Sequence, residues 1–260
     1  MSDRRQRQKE ARNAARAAER KAAARRELRR RVLIGLGLGT AVAVFLLAVG
    51  TFGSGEPELP EGLAAFREQP TACGATAPPP PETMQFERPI NQAIDSDATV
   101  TATLVTSCGE IVLELDNAGF PETANNFIFL ARNGYYDGSA FHRIAEDFVI
   151  QGGDPTALGT GGPGYVIGDE FPADGFAYEP GVVAMANAGR GTTGSQFFIV
   201  TGERAASLNP TFNVLGRVVE GMDVVDRIEQ VPTRTQSGSV ERSYPTESVY
   251  LESVTITVEN

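Results

Sequence analysis

Residues 141–154, FHRIAEDFVIQGGD, set an arginine beside a histidine at the head of an apolar run, with a glutamine inside the run. His142 is the one histidine among 260 residues. A Ser–His–Asp or Cys–His site needs a nucleophile near such a group, and no G-x-S-x-G elbow accompanies it. A catalytic zinc site draws on histidine clusters, which this sequence lacks. The glycine-rich GTGGPG at 159–164 has neither the lysine nor the following Ser/Thr of a phosphate-binding loop, and reads as a surface loop. No pair of carboxylates stands out for glycoside cleavage.

What remains is one arginine, several amides and many rings. The stretch ANAGRGTTGSQFF brings Asn187, Gln196 and Phe198 close together in sequence. Amide side chains pair with peptide groups, and phenyl rings receive an apolar ring. Such a set suits a receptor for an extended peptide, or a catalyst that makes and breaks no covalent bond. On a strand, neighbours point to opposite faces. Arg143 is therefore the candidate working residue, and His142 reads as structural.

Positioning these groups falls to short strands. TVTATLVTS and EIVLELD alternate on either side of Cys108-Gly109 and read as a hairpin. PETANNFIFLARNGYY follows as a helix, with Pro121 at its first position, Phe127, Leu130 and Ala131 on one face, and Gly134 as its stop. FVIQG, GVVAMANAG, SQFFIVTG and FNVLGRVV are short strand-like pieces between glycine-rich loops. EGMDVVDRIEQV reads as a second helix and ESVYLESVTITVEN as a closing strand. Many short strands with two helices point to a closed or nearly closed barrel rather than a parallel α/β sheet.

The blocks FHRIAEDFVIQGGD, GTGGPGY, AMANAGRGTTGSQFFIVT and VLGRVVEGMDVVDRI, in this order, resemble the signature blocks of cyclophilins, the cyclosporin-binding class of peptidyl-prolyl cis–trans isomerases. The resemblance runs from about Ala98 to Asn260, and its wording is nearer to bacterial members. It implies a mainly β fold, an eight-stranded antiparallel closed barrel capped by two α-helices, with no cofactor and no metal. It implies that Arg143 is catalytic. Phe148 and Val149 would form the wall of a proline pocket, Phe198 its floor and Leu208 its aliphatic side. Gln151 would touch the substrate backbone, Ala186 and Asn187 would pair with it through their main chain, and Gln196 would be a second pocket glutamine. Two positions depart from the pattern. Ser207 stands where animal-type members carry a tryptophan, and Phe212 stands at the pocket edge in place of a histidine. The resemblance then implies that activity is kept and that cyclosporin binding is weakened.

Charge divides the chain. Residues 1–31 carry thirteen of the 23 Lys/Arg and four of the 33 Asp/Glu, a net charge of +9, and the remainder carries −19. So acidic a body is not expected to bind nucleic acid. Between them, Val32 to Gly55 is 24 residues without a charge, and about 20 apolar residues span a bilayer. We expect a basic cytoplasmic segment over 1–31, a transmembrane helix over 32–54, a Pro-rich linker over 55–92 and the isomerase-like domain over 93–260. Part of the linker could instead lie against the body, because MQFERPI has apolar residues to bury. The alternative for 32–54, a cleaved signal peptide, is disfavoured by the long leader and the lack of an A-x-A site. Basic flanks stay in the cytoplasm, so the domain is expected outside it, on a single-pass cell-membrane anchor. The basic head, rich in alanine and arginine, reads first as a topogenic signal, then as a helix lying on anionic lipid, and last as a segment binding RNA in the cytoplasm. Outside the cytoplasm Cys73 and Cys108 can pair and staple the linker to the body, the alternative being two unrelated thiols. The expected substrates are proline-containing polypeptides, with a non-catalytic proline-peptide binding or chaperone module as the rival reading.

Overall fold

The computed structural model describes residues 62–236 and 238–259. The expected basic segment 1–31 and transmembrane helix 32–54 lie outside the described residues. Among the described residues, no helix is long and apolar enough to cross a membrane.

Strands β1 (Thr99–Thr106) and β2 (Gly109–Leu115) form the expected hairpin. Their alternation sends Val100, Ala102, Leu104, Ile111 and Leu113 into the core. Helix α2 (Pro121–Arg132) follows the helix α1 (Leu63–Glu68) described below, and buries Ala124, Phe127, Ile128 and Leu130. It begins at Pro121 as expected, but its N-cap, Phe120, offers no side-chain acceptor. The Glu170 carboxylate, from a distant loop, accepts instead from the backbone N–H of Glu122 at 3.0 Å and of Thr123 at 2.6 Å. Two of the orphan donors of the first turn are thereby satisfied by an anion at the positive end of the helix. Helix α3 (Met222–Glu229) turns Val224, Val225 and Ile228 inward.

The remaining main-sheet strands are β3 (Ser139–Ala140), β4 (Arg143–Ala145), β5 (Val149–Gly152), β6 (Val182–Met185), β7 (Phe197–Val200), β8 (Val214–Glu220) and β11 (Tyr250–Glu259). They form one curled sheet with β1 and β2, in the order β3-β11-β1-β2-β8-β6-β7-β5-β4, and every pairing is antiparallel. The expectation of eight strands in a closed barrel is corrected here. The sheet has nine strands, and no ladder joins its ends, β3 and β4, among the described residues. The physical reason is a divided strand. Phe141 still donates to Val249 O at 2.9 Å, beside β11. Two residues on, Arg143 is paired with Gln151 of β5 instead. One segment, 139–145, thus serves both edges in succession. A separate hairpin, β9 (Thr233–Thr235) and β10 (Arg242–Pro245), precedes β11.

The described part of the expected linker is laid on the domain. Phe66 of α1 is fully buried, 5.1 Å from the ring of Tyr244. Its carbonyl accepts from Tyr250 Oη at 3.2 Å and from the Ser248 hydroxyl. Ala72 N–H donates to Ser248 O at 2.9 Å, and Cys73 is bonded to Cys108, as the sequence suggested. Further along, Phe86 meets Phe129 edge-on at 5.0 Å. Apolar rings and backbone groups here find partners that an extended spacer would leave in water.

Candidate active site

Strand register builds the site. Arg143 stands opposite Gln151, Gln151 opposite Phe198, Phe198 opposite Ala184, and Ala184 opposite Val214. In-register partners share a face, so one row crosses β4, β5, β7, β6 and β8 on the outside of the sheet. The alternate residues Ile144, Ile150, Ile199 and Val183 go to the main core. The outer face of these strands is apolar as well. Val149, Ala184, Phe198, Val200 and Val214 form a second buried cluster, with Phe148, Ala186, Leu208 and Phe212 packed on its margin. Strands with both faces apolar read as plain buried strands, yet here one face is core and the other is a pocket.

The pocket's rings are held at set angles. Phe198 meets Phe212 edge-on at 5.5 Å and 88°. Tyr178 lies 6.3 Å from Phe198 and 6.1 Å from Phe212. Its hydroxyl donates to Phe212 O at 2.8 Å and accepts from Phe212 N–H at 3.1 Å. Both backbone groups of Phe212 are therefore pinned by one side chain. Phe148 sits at the rim because of the turn between β4 and β5. Gly202 fits against that turn so closely that a Cβ on it would lie 2.5 Å from Asp147 Cα. Thr201 N–H donates to Phe148 O at 3.0 Å across the same contact.

Polar groups line the other side of the row. Gln151, Ala186, Asn187 and Gln196 share a groove of about 390 Å³ with the 159–163 loop. Arg143 donates through Nη1 to Gln151 Oε1 at 3.1 Å, and Gln151 donates through Nε2 to Gln196 Oε1 at 3.0 Å. Gln196 in turn donates to Gly161 O at 3.1 Å. The Asn187 amide is engaged within its own loop, donating to Thr211 O and accepting from Gly189 N–H. Its main chain is what it can offer a peptide. Ala186 N–H already donates to Gln196 O, which leaves its carbonyl for that purpose. Nine of the ten expected site residues thus fall into two adjoining places, and the tenth, Arg143, lies beside them. Phe148, Val149, Phe198, Leu208 and Phe212 surround the apolar pocket. Gln151, Ala186, Asn187 and Gln196 line the groove, and Arg143 stands beside Gln151 with its Cζ 5.4 Å from the Phe148 centroid.

His142 does not take the opposite face expected from alternation. It precedes β4, and Phe141 and Ile144, on either side of the pair, both enter the main core. His142 lines one cavity with Arg143, Gln151 and Glu241, its ring against Gly159. It is 9% exposed, and neither ring nitrogen has a hydrogen-bond partner among the described residues. Burial lowers its pKa to about 4, so the ring is neutral near pH 7.

Three contributors escaped sequence reading. Glu241 grips Arg143 through a bidentate pair, Oε2 to Nε at 2.7 Å and Oε1 to Nη2 at 2.8 Å. Those hydrogen bonds hold the Glu241 carboxyl below the usual carboxylate range. Arg204 places its Cζ 5.4 Å from the Phe148 centroid, so that ring has two guanidinium neighbours. Tyr178 anchors Phe212. Arg143 and Glu241 are 98 positions apart, and no local pattern links them. Tyr178, in FAYEPG, had a weak signal as a ring within a Gly/Pro-rich loop.

An apolar socket for a ring, beside a fixed cation and a groove of amides, can hold an extended peptide and donate to it without a covalent step. Residues 101–256 match the family described as "Cyclophilin type peptidyl-prolyl cis-trans isomerase/CLD". The chain is 40% identical over 174 residues to peptidyl-prolyl cis-trans isomerase A of Mycobacterium tuberculosis, covering 61% of this chain and 93% of that protein. It is 45% identical over 150 residues to human peptidyl-prolyl cis-trans isomerase-like 1, covering 55% and 90%. A Cryptosporidium parvum cyclophilin-type isomerase, solved in the presence of the dipeptide Ala-Pro, superposes with a TM-score of 0.54 at 29% identity, covering 60% of this chain and 98% of that one.

Proposed function

This chain belongs to the cyclophilin-type peptidyl-prolyl cis–trans isomerases, and from that premise we propose that Arg143 drives the rotation while the Phe198 pocket holds the proline. The single observation behind this assignment is the shared row, in which Arg143, Gln151 and Phe198 stand in register on one face. Rotation about the imide faces a barrier of about 18–20 kcal/mol. Reaching about 10³ s⁻¹ means lowering it by roughly 7 kcal/mol. As the bond twists, resonance is lost and the imide nitrogen regains a basic lone pair. A guanidinium N–H aimed there binds the twisted state better than the planar one. Phe148, Val149, Phe198, Leu208 and Phe212 seat the pyrrolidine ring and exclude water, which strengthens that bond. Gln151, Gln196 and the main chain of Ala186 and Asn187 hold one side of the peptide while the other turns. The presence of Ala-Pro in the Cryptosporidium relative's structure supports Xaa-Pro as the unit bound.

The clients in this reading are exported or cell-surface proteins whose Xaa-Pro bonds limit their folding. The support is the uncharged run 32–54 behind a basic head, which suits a single-pass anchor with its N-terminus in the cytoplasm. The Cys73–Cys108 bond supports an oxidising compartment for the domain. Cyclosporin binds weakly in this reading, because Ser207 replaces a ring-bearing residue.

The test is relaxation of a cis Xaa-Pro peptide with the full-length protein. Arg143→Ala is expected to lower kcat/KM by about 10²-fold or more while a proline peptide still binds. Turnover that survives Arg143→Ala at the wild-type level sinks the assignment.

A further inference from the structure

We propose that Glu241 is a positioning residue for Arg143: its carboxylate, delivered by the β9–β10 hairpin, holds the guanidinium in the orientation the isomerisation uses. This rests on the reading of Arg143 as the donor.

A free arginine side chain samples many rotamers, and freezing it costs conformational entropy. A donor favours the transition state most when it is already aimed before the bond twists. Arg143 is aimed by three neighbours. Glu241 takes the Nε–H and one Nη2–H side-on, at 2.7 and 2.8 Å, and so sets the plane of the guanidinium. Gln151 accepts from Nη1 at 3.1 Å, and Phe148 lies 5.4 Å from Cζ. Of the five N–H groups of an arginine, two stay uncommitted in this arrangement, one on Nη1 and one on Nη2.

The direction of donation gives Glu241 its particular place. From Arg143 the hydrogen bonds run one way, to Gln151, then Gln196, then Gly161 O. Glu241 is the acceptor that anchors the other edge of the first donor. Without it, the guanidinium would keep the Phe148 ring and a single hydrogen bond, to Gln151, which allows rotation about its axis. The pair adds little to folding, because the two side chains are 28% and 36% exposed and water screens them. Orientation is what a bidentate pair at this depth supplies.

The experiment measures kcat and KM of the full-length protein for a cis Xaa-Pro peptide, with thermal unfolding as a check. Glu241→Ala is expected to lower kcat about tenfold, with KM changed less than about twofold. Glu241→Gln, which keeps an acceptor oxygen, is expected to lose less. The Arg143 Nε–H proton resonance, displaced by its carboxylate partner, is expected to move in Glu241→Ala. In an Arg143→Ala background, Glu241→Ala should add no further loss. Wild-type kcat in Glu241→Ala overturns the proposal, as does a raised kcat, which would make the carboxylate a cover over the arginine. A loss confined to KM overturns it, and so does a loss that persists undiminished without Arg143. If Glu241→Ala does not fold, the same readings from Glu241→Gln decide. An active Arg143→Ala would remove the underlying assignment, whereas an inactive Arg143→Ala with an unaffected Glu241→Ala overturns this inference alone.

Discussion

His142 and Arg143 are adjacent in the chain and opposite in fate. Arg143 reaches the outer face, where a carboxylate, an amide and a ring surround it. His142 is buried against the 159–163 loop and kept neutral by that burial, its pKa lowered to about 4. An imidazole that is neutral when folded and protonates near 6.5 when unfolded couples stability to pH. The sign follows from proton binding. Between about pH 6.5 and 4 the unfolded chain binds the extra proton, so stability falls as pH drops through that window. The shift is equivalent to about 3 kcal/mol lost at its acid end. Replacing the ring removes this coupling. Denaturant unfolding at pH 7.5 and 4.5 should show a smaller acid loss for His142→Gln than for the wild type. An equal loss in both would locate the acid sensitivity elsewhere.

At the scale of elements, two long-range ties hold pieces that local sequence leaves loose. Glu170 caps α2 from a loop 47 positions away, donating no proton and accepting from Thr123 N–H and its hydroxyl at 2.6 and 2.7 Å. Glu170→Ala should cost about 1–2 kcal/mol in unfolding free energy, and a loss below a few tenths would mean that water caps the helix equally well. The Cys73–Cys108 bond ties the turn at 72–74 to the β1–β2 hairpin across 35 positions. By loop closure alone it stabilises by roughly 3–4 kcal/mol. The Cys73→Ser/Cys108→Ser double variant should lose about that much by denaturant titration. Its kcat/KM should stay within about twofold of wild type, since neither cysteine lines the pocket or the groove. Lost turnover in a folded double variant would contradict that separation.

For the whole molecule, the proposed division of labour places addressing in residues 1–54 and chemistry in the curled sheet. Deleting 32–54 is therefore expected to move the protein from the membrane fraction to the soluble one, with turnover per molecule unchanged. Membrane retention by the deletion variant, or a full-length protein found only in the soluble fraction, would refute the anchor. The described residues of the expected linker bear on how such a chain is used. From α1 onward it is part of the domain, through Phe66, Ala72 and Phe86. Any spacer between an anchor and the catalytic body is correspondingly shorter than the composition of 55–92 suggested.

Local rules in the sequence determined the hairpin of β1 and β2 and the start of α2 at Pro121, and pointed to the cysteine pair. These depend on period, on turn chemistry or on there being one pairing available. Alternation misplaced His142, because the strand begins only at Arg143. The ordered blocks around Arg143, Gln151 and Phe198 also pointed to the site, because each block carries its own strand and loop. Only the tertiary structure decided how the segment 139–145 divides between two sheet edges, which turned an expected eight-stranded closed barrel into nine strands. It alone brought Glu241 to Arg143, Glu170 to α2 and Tyr178 to Phe212. Each of these joins residues far apart in the chain through contacts that no local period encodes. Such contacts arise from how the sheet curls, and that curl brings the β9–β10 hairpin back to the row where the peptide is to be turned.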